Sequence, residues 1–197
     1  MPAMKLSHLA SHLVLVAASL GCMASANAAF TGSAAPAQWT SANTDGGNGS
    51  ASNDGSTLTL VSSNFADFDA APLVSSTFSY ATTFAAPTTL SFNWSYATAD
   101  DGGSSNDRFG YTLNGTSYAL SSDGLWDGQS GSVSLSLAAG SHFGFTMTST
   151  DSIFGAATAT VSGFSVSPVP EADPLLLLGV GLPLVAGVSL RRRRRAA

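Results

Sequence analysis

The stretch "TLSFNWSYAT", Thr89 to Thr98, alternates without a break. Leu90, Phe92, Trp94 and Tyr96 fall on one side, and Thr89, Ser91, Asn93 and Ser95 fall on the other. Only an extended chain has a side-chain period of two, so the stretch reads as a strand with one face in a core and one in solvent. "SVSLSLA" (Ser132 to Ala138) repeats the pattern with Val133, Leu135 and Leu137, and "HFGFTMTS" (His142 to Ser149) with Phe143, Phe145 and Met147. "RFGYTLNGTSYALS", Arg108 to Ser121, reads as a hairpin. Asn114-Gly115 suits a two-residue type I′ turn between Phe109, Tyr111 and Leu113 on one arm and Tyr118 and Leu120 on the other.

Further strands are expected over Thr57 to Ser62, Leu73 to Tyr80 and Ala157 to Val166. In the last of these Gly163 shifts the apolar parity between Val161 and Phe164, as a bulge would. No helical periodicity of useful length interrupts them. Seven or eight short strands, each with one apolar face, require two sheets packed against each other. The expectation is an all-β fold, a β-sandwich of jelly-roll type, over residues 29–167.

Charge narrows the function classes. From Ala29 to Pro170 there are ten aspartates, one arginine (Arg108) and no lysine or glutamate, a local net charge of −9. So acidic a domain repels phosphate backbones and anionic headgroups, and nucleic acid is excluded as a partner. The same stretch has no cysteine and one histidine, His142, which removes most routes to general acid-base or nucleophilic chemistry. His142 follows a Gly-Ser turn at the start of a strand, where a solvent-facing position is expected. Asp67 and Asp69, in "NFADFDAAP", would be the remaining pair for two-carboxylate hydrolysis. A non-catalytic domain is expected.

Two loops carry binding chemistry. "ADDGGSSNDRFG", Ala99 to Gly110, gathers Asp100, Asp101, Asn106 and Asp107 on a flexible Gly-Ser segment, the hard oxygen ligands that calcium takes, although the spacing is not that of an EF-hand. The alternative is that they are ordinary turn-forming, solubilising loop residues. Arg108 beside them is expected to pair with an aspartate. Among the tryptophans, Trp39, Trp94 and Trp126, Trp94 shares the core face of its strand. Trp126, in "SSDGLWDGQSG" with Asp123 and Asp127 beside it, is the candidate ligand platform, with burial beneath its loop as the alternative.

The ends read as address labels. Lys5, the apolar "LVLVAASL" (Leu13 to Leu20) and small residues Ala26 and Ala28 before a cleavage point make residues 1–28 a secretory signal peptide. "SLGC", Ser19 to Cys22, resembles a bacterial lipoprotein signal, in which Cys22 would be lipidated. Residues 175–190 are uncharged, roughly 24 Å long as a helix, and are followed by Arg191, Arg192, Arg193, Arg194 and Arg195. That arrangement reads as a transmembrane helix with a cytoplasmic tail, residues 191–197. Residues 168–174 form the linker.

Val169-Pro170-Glu171, the apolar run and the terminal arginine cluster together resemble the PEP-CTERM sorting signal of Gram-negative bacteria. Here Ala172 stands where that signature has its second proline, and the next proline is Pro174. The resemblance covers Val169 to Arg195. It implies recognition of Val169, Pro170 and Glu171 by an exosortase-like processing enzyme. A transient inner-membrane anchor would hold the domain in the periplasm before release to the cell surface or the extracellular matrix. Thr77 to Phe164, with "FNWSY", "DRFGYTLNG" and "DSIFGAATATVSGFS", also resembles a module recurrent in exported bacterial proteins, which has no assigned activity. The expectation is an exported, non-catalytic protein giving adhesion or structure in an exopolysaccharide-rich layer. The alternative is a lectin-like module for extracellular polysaccharide, with calcium as an optional cofactor.

Overall fold

The computed structural model describes residues 29–65 and 73–169 of the chain. The signal-peptide positions Ala26 and Ala28, together with Cys22, Asp67 and Asp69, lie outside the described residues. So do Pro170, Glu171, the apolar run and Arg191 to Arg195.

Ten strands are described: β1 (Thr40–Asn43), β2 (Ser50–Asn53), β3 (Leu58–Val61), β4 (Ser76–Phe84) and β5 (Thr88–Thr98), then β6 (Asp107–Leu113), β7 (Thr116–Ala119), β8 (Gln129–Leu137), β9 (Ser141–Ser149) and β10 (Ala157–Pro168). They form two antiparallel five-stranded sheets, ordered β1-β4-β9-β6-β7 and β2-β3-β10-β5-β8. From β3 onward every connection except the β6–β7 hairpin passes from one sheet to the other. The result is β3-β10-β5-β8 facing β4-β9-β6-β7, two interleaved Greek keys.

The period-two reading places the strands well. In β5 Leu90, Phe92 and Tyr96 are buried and Trp94 is half-buried, while Thr89, Asn93 and Ser95 are exposed. Asn114 and Gly115 both take positive φ, 50° and 82°, the type I′ geometry whose twist matches that of the flanking strands. Gly163, at φ 58°, lies within the register shift between Ser162 and Ser165 on the β5 side of β10, the expected bulge.

One boundary differs. The strand expected over Leu73 to Tyr80 runs instead over Ser76–Phe84, because its pairing with β9 extends from Ser76↔Ser149 to Phe84↔Ser141. β1 and β2 were not anticipated. "TSAN" and "SASN" hold no large apolar residue and are strands only because β4 and β3 offer them edges.

The core is aromatic and spans both sheets. Phe145 of β9 packs edge-on against Phe92 of β5 and Phe143, each at 5.0 Å between ring centroids, and lies 6.2 Å from Phe164 of β10. The segment before β1, with short 3-10 turns at Gly32–Ala34 and Pro36–Gln38, closes one part of this core. Phe30 stacks on Phe164 at 4.2 Å. Trp39 stacks on Tyr80 and Phe145, and its Nε1 donates to the Ala34 carbonyl at 3.0 Å. Trp39, weighed above with the other tryptophans as a ligand contact, is therefore a core residue, only 7% exposed.

Since Phe145 touches both sheets and the Trp39 lid, Phe145→Ala should destabilise the domain by roughly 3–5 kcal/mol, the range for large-to-small core truncations. A urea melt followed by tryptophan fluorescence measures it. A loss under about 1 kcal/mol would mean that this aromatic cluster is not the cooperative core.

Candidate functional site

The two binding loops predicted separately form one structure. The β5–β6 connection makes a 3-10 turn at Gly103–Ser105, and the β7–β8 loop folds down onto it. Ser104 donates its backbone N–H to the Leu125 carbonyl at 2.9 Å, while its Oγ accepts the Leu125 N–H at 3.0 Å and donates to the Ser122 carbonyl at 2.6 Å. Ser122 and Gln129 close the neck of the loop, with N–H to Oε1 at 2.7 Å and Nε2 to the carbonyl at 3.1 Å. Arg108 grips Asp123 with two bonds, Nε to Oδ1 at 2.9 Å and Nη2 to Oδ2 at 2.8 Å, in an exposed bidentate pair.

Trp126 stands on this base. Its side chain is not buried under the loop: the residue is 66% exposed, and Leu125 beside it is 45% exposed. Its indole Nε1 donates to the Asp101 carbonyl at 3.3 Å, and its Cε2 lies 3.3 Å from where a Cβ on Gly103 would sit. The glycine thus lets the indole rest against backbone. Asp101, Asp123 and Asp127 are all exposed in these two loops. An apolar ring fixed at its edge and accompanied by hydrogen-bonding carboxylates can stack on a sugar face or on another flat ligand.

Beneath the platform lies a second cluster. Asp100, Asp107 and Asp151 are 2%, 0% and 6% exposed. The Asn106 Nδ2 bridges two of them, donating to Asp100 Oδ1 at 3.1 Å and Asp151 Oδ2 at 3.2 Å, and Thr150 Oγ1 donates to Asn106 Oδ1 at 3.3 Å. Asp100 Oδ1 also accepts the Gly102 N–H. Asp100 Oδ2 and both carboxylate oxygens of Asp107 have no well-formed hydrogen bond. The Ser62 and Ser149 hydroxyls near Asp107 ease its burial without closing such a bond on it.

Of the four residues proposed for calcium, Asp100, Asn106 and Asp107 come together, whereas Asp101 faces solvent and uses its carbonyl to hold Trp126. Asp151 replaces it. It comes from the β9–β10 loop, 44 positions beyond Asp107, where Ser152 at φ 58° is held by hydrogen bonds to Ser149 Oγ and the Val74 carbonyl. The hint in the sequence was a second Asp-Ser loop at that end of the strands. No three Asp, Glu, His or Cys side chains among the described residues gather closely enough to hold a metal ion. An ion there would need amide, carbonyl or water oxygens as well.

Burial pushes the Asp107 carboxyl up to about 6, with Asp100 and Asp151 adding like-charge repulsion. Asp151 is raised for the same reasons, burial first and then the Asp100 charge. The Tyr96 hydroxyl, which donates to the Asp107 carbonyl, is pushed up to about 12, again mainly by burial.

The sandwich resembles an adhesin domain and carbohydrate-binding modules. The K3 adhesin domain of Lys-gingipain from Porphyromonas gingivalis superposes with a TM-score of 0.41 at 15% identity, over 72% of this chain and 97% of that one. The N-terminal cellulose-binding domain of Cellulomonas fimi β-1,4-glucanase C gives 0.35 at 14%, over 70% and 92%. The family 11 carbohydrate-binding module of a Clostridium thermocellum cellulosomal cellulase gives 0.36 at 9%, over 69% and 91%. At such scores no residue role or ligand carries across. The chain matches no family model and no curated protein, so the resemblance of its C-terminal residues to a sorting signal has no family match behind it.

Asp107 sets a pH dependence. Its ordinary value of 3.8 in the unfolded chain and about 6 in the fold mean that, between those values, the fold keeps a proton the unfolded chain has released. The contribution is fully present below about pH 4 and is lost as the pH rises through about 6, roughly 2–3 kcal/mol in all. Asp107→Asn, which keeps the shape and cannot ionise, should raise the melting temperature at pH 7.5 and flatten its change between pH 4 and 7. A variant no more stable than the parent at pH 7.5 would show that Asp107 is adequately stabilised as a carboxylate.

Proposed function

We propose that this chain is an exported, non-catalytic protein of the cell surface or extracellular matrix, a jelly-roll sandwich that binds polysaccharide through the Trp126 loop. The observation that carries the reading is the exposure of Trp126 on a loop that is hydrogen-bonded into place. A large aromatic ring held rigidly in water loses little conformational entropy on stacking against a ligand. The neighbouring Asp101, Asp123 and Asp127 supply acceptors for sugar hydroxyls and disfavour anionic polymers. The described residues also offer little for catalysis. His142, the one histidine among them, sits exposed on β9, and the buried aspartates are enclosed beneath the loop rather than open to a substrate.

Export and delivery rest on the residues at the two ends: the signal peptide, and the Val169-Pro170-Glu171 signature with its apolar run and arginine cluster. Anchorage would be transient, by way of the inner membrane and an exosortase-like enzyme. Calcium is an accessory to this reading. The three carboxylate oxygens of Asp100 and Asp107 that lack well-formed hydrogen bonds are hard ligands of the kind it takes.

A glycan array of neutral and acidic polysaccharides, probed with the wild-type chain and with Trp126→Ala, tests the central claim. The wild type should bind a neutral glycan, and the variant should bind at least tenfold more weakly with an unchanged melting temperature. Equal binding by the two would sink the platform. Repeating the melt in millimolar calcium tests the accessory ion, with an upward shift expected if Asp100 and Asp107 hold it. Sorting is tested separately by replacing Pro170 and Glu171 with Ala. Secreted material from the producing cell, examined by mass spectrometry, should then lack the trimmed C-terminus seen with the parent chain.

A further inference from the structure

We infer that β8 is a self-pairing edge, and that two copies of the chain join through it to make one continuous antiparallel sheet. Among the described residues the two sheets end in four edge strands. β1, β2 and β7 are four residues long and β8 is nine, Gln129–Leu137. Its inner side is fully engaged with β5, from Thr88↔Leu137 to Tyr96↔Gln129, and the sheet order stops there. Edge strands that stay single are usually blunted by charge, proline or brevity. "QSGSVSLSL" has none of these, in a domain that otherwise carries a net charge of −9.

The occupant follows from the strand's own pattern. An antiparallel pair centred on Val133 sets Val133 against itself, Ser132 against Ser134, Ser130 against Ser136, Gly131 against Leu135 and Gln129 against Leu137. On the outer face every contact is hydroxyl to hydroxyl, since Ser130, Ser132, Ser134 and Ser136 are all exposed. On the inner face Val133 and Leu135 are only partly buried, as is Trp94, although all three pack against the core. The Trp94 indole lies across Gly131, within 3.0 Å of where a Cβ would stand, so Leu135 of a second copy would meet that ring over the glycine. Self-pairing therefore covers the half-exposed apolar residues at this end of the sandwich. No charge opposes another, because Asp127 falls opposite Ala139 of the second copy. The two Gln129 residues would lie about 27 Å apart at ~3.4 Å per residue, with a Trp126 loop beyond each. A dimer so built presents its platforms at opposite ends of the joined strands, an arrangement suited to bridging a polymer.

Sedimentation of the full chain in mild detergent over graded concentrations tests this without any ligand, independently of the Trp126 reading. The parent chain should show a monomer–dimer equilibrium. Ser132→Lys with Ser134→Lys sets ammonium against ammonium on both sides of the central pair and should weaken dimerisation roughly tenfold or more. It does so while lowering the net negative charge, a change that would favour any association governed by overall charge alone. Ser132→Lys with Ser134→Glu sets ammonium against carboxylate and should retain the dimer. A parent chain that stays monomeric overturns the inference. So does a double-lysine variant that dimerises like the parent, or a loss of the dimer in both variants.

Discussion

Phe145 is the point on which this sandwich turns. Its ring touches Phe143 within its own sheet, Phe92 and Phe164 across the core, and Trp39 from the segment that closes the end. From Ala29 to Pro170 there is no cysteine and a single arginine, so neither disulfides nor buried ion pairs contribute. Packing has to supply the cohesion, and eight of the largest fully buried side chains are phenylalanines. Concentrating that area in one cluster lets the strands keep outer faces of serine, threonine and asparagine.

The same economy of charge shapes the site. The one arginine among the described residues is used at the surface, on Asp123, to fix the neck of the Trp126 loop. No Lys or Arg among the described residues is left for Asp100, Asp107 and Asp151, and the fold substitutes an amide for a cation by placing Asn106 Nδ2 between two of the carboxylates. The third, Asp107, has no such partner, and burial raises its carboxyl to about 6. A carboxylate cluster that would otherwise repel itself is thereby made into a support for the turn above it.

Much of the sandwich was legible because the code involved is local. Strict alternation around Phe92 and Phe145 can be satisfied only by a strand with one buried face, and Asn114-Gly115 and Gly163 name their own backbone conformations. What escaped depended on partners. β1 and β2 carry no apolar face and exist by pairing with β4 and β3. The burial of Trp39 needs the rings of Tyr80 and Phe145, neither of which is near it in the chain. Asp151 joins Asp100 through a loop from another part of the fold, and Asp101 leaves the cluster because a neighbouring loop claims its carbonyl. Exposure of Trp126 likewise follows from where Gly103 lies, which spacing along the chain does not specify.

The platform and the acidic cluster are mechanically one unit. Asp100 accepts the Gly103 N–H at its carbonyl and the Gly102 N–H at its carboxylate, and so shapes the 3-10 turn. Ser104 of that turn holds Ser122 and Leu125, and Asp101 holds the indole. Asp100, buried beneath the turn, thereby links the acidic cluster to the Trp126 loop through backbone and side-chain hydrogen bonds. The exposed ring is thus held from below, through Asp101, Ser104 and the turn that Asp100 shapes.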